Sequence, residues 1–72
     1  MEKLKEFRKS KGLSQDKMSK ILNITLSMYE KVENGRVGAS AAFMKRLKAA
    51  FPDANINFLF FSADSKDVAV DK

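Results

Sequence analysis

The sequence predicts an all-α domain of five short helices, and three observations carry that expectation. Apolar residues recur at three- and four-residue spacing in five separate segments. Each segment is bracketed by residues that start or stop helices. No stretch sustains the alternation of apolar and polar residues that a half-buried strand needs. Asn34-Gly35 turns hairpins where strands flank it, but here it follows a helical pattern and reads as a helix stop.

Leu4, Phe7, Arg8 and Lys11 share one face of a first helix, from about Glu2 to Lys11. Gly12 ends it in the left-handed conformation, with Lys9 and Lys11 well placed against the helix dipole. Ser14 caps a second helix, with Asp16 in its first turn and Met18, Ile21 and Leu22 as its apolar residues. Asn23 follows, a residue that tolerates the left-handed geometry of a sharp turn. Thr25 caps a third helix whose buried positions are Tyr29 and Val32. Arg36 to Ala39 form a loop, and Ser40 caps a fourth helix with the stripe Phe43, Met44, Leu47, Ala50 and Phe51. Pro52 stops it, because proline disfavours helical geometry in the residue before it. Asn55 caps a fifth helix with Ile56, Leu59 and Phe60 on one face. Residues 62–72 show no such pattern, so one domain over residues 1–61 is expected to carry a mobile tail.

Composition narrows the function. A chain of 72 residues supports one core, and 44% hydrophobic with 32% charged residues is ordinary for a globular domain. There is no cysteine and no histidine, which removes disulfides, thiolate chemistry, the usual zinc sites and the commonest general base. Five short helices leave little room for a catalytic pocket, so no enzyme, catalytic residue, cofactor or metal is expected. Asp64, Asp67 and Asp71 are too widely spaced for a calcium loop. No apolar run exceeds four residues, and Met1 to Glu6 lacks the apolar centre of a signal peptide. The expectation is a cytoplasmic protein without a membrane span. Fourteen Lys and Arg against nine Asp and Glu give +5, divided as +6 over residues 1–61 and −1 beyond them. A basic body points toward a polyanionic partner.

The segment from Gln15 to Val32 meets the demands of two helices crossing at a tight turn. Ser19 is small where the helices touch, Asn23 supplies the turn, and Tyr29 and Val32 anchor the second helix, with Met18 and Ile21 or Leu22 completing the seam. Gly12-Leu13-Ser14-Gln15, then Met18-Ser19, and later Glu33-Asn34-Gly35-Arg36 together resemble the phage repressor and Cro family of helix-turn-helix proteins, also called the xenobiotic-response-element type. The resemblance extends over about residues 2–61, with Asp53 as one extra loop residue before a segment similar to the family's fifth helix. It implies a compact five-helix, lambda-repressor-like DNA-binding domain that regulates transcription, usually by repression and as a homodimer.

By position, the resemblance places Gln15 on a phosphate, helped by its backbone N–H, and Thr25, Leu26, Ser27 and Lys31 on base edges. It places Asn34 and Arg36 on the DNA backbone, and Arg8 with Glu33 as a structural ion pair. Arg8 also faces inward at the spacing of Leu4 and Phe7. Glu30 and Glu33 both lie near the unfavourable negative end of their helix, where a partner would explain at least one of them. The reading positions hold no Gln, Asn or Arg, so specificity is expected to be modest, to lean on DNA shape, or to be partly lost. Phe58 and Phe61 project from a second side of the fifth helix and are the expected homodimer interface, which implies a near-palindromic site. The competing expectation is a protein-interaction module or antitoxin-like partner on the same fold, using those aromatic residues.

Overall fold

A computed structural model describes residues 2–61; the expected mobile tail, residues 62–72, lies outside the described residues. Four α-helices, α1 (Glu2–Ser10), α2 (Gln15–Leu22), α3 (Leu26–Glu33) and α4 (Ala41–Ala50), precede a π-helical turn, Asn57–Phe61. No strand occurs among the described residues. No described helix is long and apolar enough to cross a membrane.

Local chemistry sets each boundary. The side chains of Ser14, Thr25 and Ser40 accept hydrogen bonds from the backbone N–H of Lys17, Met28 and Phe43, at 3.1, 3.1 and 3.0 Å. The first three helices close with the same pair of backbone bonds. Gly12, Asn23 and Gly35 donate to Lys9, Lys20 and Val32, while the following residues, Leu13, Ile24 and Arg36, reach back to Arg8, Ser19 and Lys31. The pivot of each motif must adopt positive φ. Asn23 does so at φ 59°, ψ 46°, a conformation its short polar side chain tolerates better than most.

Helix α2 packs against α3 and α4, while α1 packs against α3 and the π-helical turn. Leu4, Met18, Leu22, Tyr29, Val32, Phe43, Leu47, Ala54 and Leu59 form the buried core. Aromatic rings tie its layers together: Tyr29 stacks on Phe43 at 6.0 Å, and Phe43 meets Phe60 edge-on at 6.1 Å. Phe7 and Phe51 make a second edge-on pair at 5.4 Å, joining α1 to the end of α4.

Two expectations need correction. Ile21, expected in the apolar face of α2, is 46% exposed, and Leu22 fills the seam instead. The reason is angular. At about 100° per residue, Ser19 and Ile21 lie some 160° apart and cannot share one buried face. Because Ser19 is buried, Met18 and Leu22 go in with it and Ile21 turns out. The fifth element also winds differently from the expected α-helix, as a five-residue π-helical turn. Asn55 still caps it, accepting from the Phe58 N–H at 3.0 Å. Leu59 is buried, and Ile56 and Phe60 pack against the core beside it.

Ser19 is 2% exposed on the buried side of α2, which packs against α3 and α4, and its hydroxyl donates to the Asp16 carbonyl at 2.7 Å. Ser19→Leu is expected to overpack this side and cost about 1–3 kcal/mol in urea unfolding. Ile21→Ser should stay within about 0.5 kcal/mol of the parent.

Candidate nucleic-acid interface

The α3 helix exposes a polar strip because its opposite side is committed to the core. Tyr29, Val32 and Glu33 are buried. Roughly half a turn away on the helical wheel lie Ser27, Lys31 and Asn34, all exposed. Leu26, 37% exposed, flanks this strip on one side, and Met28, 45% exposed, flanks it on the other. Thr25 stands exposed at the N-cap, where its Oγ1 is engaged with the Met28 N–H. Beyond the helix, the backbone N–H of Arg36 is fixed to the Lys31 carbonyl at 2.8 Å, and its side chain is exposed.

Behind the strip, one carboxylate organises three helices. Arg8 on α1 grips Glu33 with two prongs, Nε to Oε2 at 2.8 Å and Nη2 to Oε1 at 3.2 Å. The Tyr29 hydroxyl donates to Oε2 at 2.8 Å, and Gln15 Nε2, from the start of α2, donates to Oε1 at 2.8 Å. The remaining guanidinium nitrogen of Arg8 donates to the Leu13 carbonyl at 2.8 Å, closing the loop between α1 and α2. Among the described residues, no buried side-chain polar atom lacks a partner.

The charges of this cluster follow from its geometry. Burial alone would raise the Glu33 carboxyl, but donation by Arg8, Tyr29 and Gln15 outweighs it and holds the group below the usual carboxylate value. Burial first, and then the Glu33 carboxylate, push the Tyr29 hydroxyl far above its usual value, so it stays a donor. Hydrogen bonding to Glu33 raises Arg8 against the opposing effect of burial.

Residues 4–52 match a family model described as helix-turn-helix. No curated protein and no solved structure gives a significant match. The chain belongs to the phage repressor and Cro-type helix-turn-helix family. It is therefore a DNA-binding regulator of the helix-turn-helix class, with α2 and α3 as the two helices of the motif. The match ends at Pro52, so the π-helical turn carrying Phe58 and Phe61 lies beyond it.

The helix-turn-helix brings Thr25, Leu26, Ser27, Lys31, Asn34 and Arg36 to α3 and its two ends, with Gln15 alongside at the start of α2. Gln15 differs from the simple expectation, since one of its amide hydrogens is spent on Glu33. A glutamine amide has two donors, so one remains, together with the orphan backbone N–H groups of the helix start.

Three contacts had no signal at the level of sequence. Arg46 on α4 donates from Nη1 to the Leu22 and Asn23 carbonyls, at 3.1 and 3.3 Å, and so pins the turn of the motif. Lys48 donates to the Pro52 and Ala54 carbonyls at 2.7 and 2.8 Å, tying down the loop after α4. Lys11 pairs with Asp53 at 2.7 Å, which gives the extra loop residue a partner and lowers its carboxyl pKa.

Arg8→Met leaves a buried carboxylate without its counter-charge, and is expected to cost about 3–5 kcal/mol in urea unfolding at neutral pH. The pH dependence has a definite sign. The folded pKa of Glu33 lies below the unfolded one, so its contribution is present above about pH 4.3 and is lost as pH falls through the lower folded value. Stability should decline in that acid range, and Glu33→Gln should make the decline shallower while lowering stability at neutral pH.

Proposed function

We propose that this protein binds double-stranded DNA with α3 in the major groove and represses transcription from a near-palindromic site as a homodimer. The observation that carries the reading is the shared carboxylate. Glu33 holds Gln15, at the start of α2, in fixed relation to α3 with its exposed strip. A phosphate contact at one helix start and base contacts from the next helix require that kind of registration.

Within this reading, Ser27 and Lys31 face base edges, with Thr25 and Leu26 at the leading end of the helix. Leu26 suits the methyl group of a thymine. Gln15, Asn34 and Arg36 hold the backbone. Selection of bound DNA from a random pool at stated salt is the direct test. Ser27→Ala and Lys31→Ala should each change which sequences are enriched, at about 1–3 kcal/mol for the position concerned. Arg36→Ala should weaken all sequences alike and make the salt dependence shallower by about one phosphate contact. Uniform loss from all three substitutions, or binding indifferent to salt, would count against this docking.

The homodimer reading rests on the π-helical turn. Phe58 and Phe61 are 50% and 60% exposed within one five-residue element, while Leu59 between them is buried. Lys3 Nζ lies 4.6 Å from the centre of the Phe58 ring, at one edge of the patch. A two-fold axis through this surface would set paired recognition helices one DNA turn apart, about 34–36 Å. Sedimentation equilibrium should show self-association of the parent chain and a monomer for the double substitution Phe58→Ser, Phe61→Ser. A monomeric parent at high concentration, with selected DNA lacking half-site repeats, would exclude the dimer.

A further inference from the structure

A second feature of the helix-turn-helix lies beside the proposed reading strip, on its Met28 flank. Between α3, the loop after it and α4 lies a cavity of about 380 Å³, within the size range of small-molecule sites. Ile24, Met28, Val32, Val37 and Phe43 supply apolar walls, and Arg46 is among the lining residues. Among the described residues, no acidic side chain lines it. Met28 and Val37 are left 45% and 38% exposed, so an occupant would cover apolar surface now facing water.

Arg46 gives this cavity its chemical preference. Its Nη1 is spent on the Leu22 and Asn23 carbonyls, and it forms no ion pair among the described residues. Among the described residues its Nε and Nη2 edge makes no hydrogen bond, and that edge is the fork with which Arg8 grips Glu33 elsewhere in the molecule. A carboxylate matches such a fork with two parallel hydrogen bonds. We infer that this cavity is a binding site for a small amphipathic carboxylate, its apolar body against Met28, Val32 and Phe43 and its head group on Arg46.

The site goes beyond the DNA reading and does not depend on it, since binding is measured on the protein alone. Met28 and Val32 belong to α3, so an occupant touches the recognition helix from its flank and has the contacts needed to bias its position. Octanoate is a suitable probe, with octanol as its uncharged counterpart. Both are titrated at constant ionic strength while the methionine methyl signals are followed by NMR, with Met28 assigned through Met28→Leu. Octanoate should move the Met28 signal saturably, and octanol should bind at least about tenfold more weakly for want of the charge-assisted fork.

Arg46→Gln should reduce octanoate binding to the level of octanol. Because that change also removes a contact to the motif's turn, Val37→Glu provides an independent check. It places a carboxylate in the exposed cavity wall, leaves the Arg46 backbone contacts in place, and should likewise abolish the preference for octanoate. The inference is overturned by an unsaturable Met28 response, by equal binding of octanoate and octanol to the parent chain, or by a preference for octanoate that survives Val37→Glu.

Discussion

Glu33 sits where a carboxylate is least welcome, buried and at the negative end of α3. Removing a charge from water is expensive, and the position is tolerable only because donors from three helices converge on it. Arg8 brings α1, Gln15 brings the start of α2, and Tyr29 comes from α3 itself. Such a cluster is weak evidence for net stability, since a well-packed apolar substitute often does as well. It is stronger evidence for geometry. The fork of Arg8, the Tyr29 hydroxyl and the Gln15 amide meet one carboxylate in only one relative placement of the three helices. Tyr29 then carries that placement into the core by stacking on Phe43 of α4.

The turns extend the same constraint along the chain. Each of the first three helices ends in a pair of backbone bonds around a left-handed pivot, so its direction of exit is set locally. Arg46 adds a tertiary lock at the second of these turns, holding the last carbonyls of α2 from the side of α4. The angle between α2 and α3 is therefore fixed twice, by Asn23 within the chain and by Arg46 across it. Substitution of the outward strip on α3 leaves all of these contacts intact. The strip proposed to read DNA can therefore vary without disturbing its scaffold.

Much of this was legible in the sequence because it is local. Caps at Ser14, Thr25, Ser40 and Asn55, stops at Gly12, Asn23 and Asn34-Gly35, and the small Ser19 each depend on residues a few positions away. The Arg8–Glu33 pair was implied by the family resemblance, and an inward-facing arginine with acidic residues at a helix end supported it in part. What escaped depends on closure of the fold. Gln15 to Glu33 spans 18 residues and Arg46 to Leu22 spans 24, and nothing in either segment marks the other. Nothing in the sequence marks a partner for Lys48, and only the path of the chain after Pro52 brings carbonyls within its reach. The choice between Ile21 and Leu22 stayed open for a different reason. Apolar spacing cannot say which edge of a stripe turns inward until the small residue that faces the partner helix is counted with it.

Charge acts on a longer scale than these contacts. Three ion pairs, Arg8–Glu33, Lys11–Asp53 and Lys20–Asp16, lie within the described residues, and each cancels one charge of either sign. The excess of six positive charges over residues 1–61 is therefore untouched by pairing, and its field remains. That field falls off over roughly 8–10 Å at physiological salt, so it draws a polyanion toward the basic body without choosing its orientation. Orientation has to come from the few groups whose positions are fixed. Arg36 is placed by its backbone bond to Lys31, and Gln15 by its bond to Glu33. The attraction to a polyanion is thus spread over the surface of the domain, whereas in the proposed docking the register would rest on Gln15, held by the buried carboxylate, and on Arg36, held by the Lys31 carbonyl.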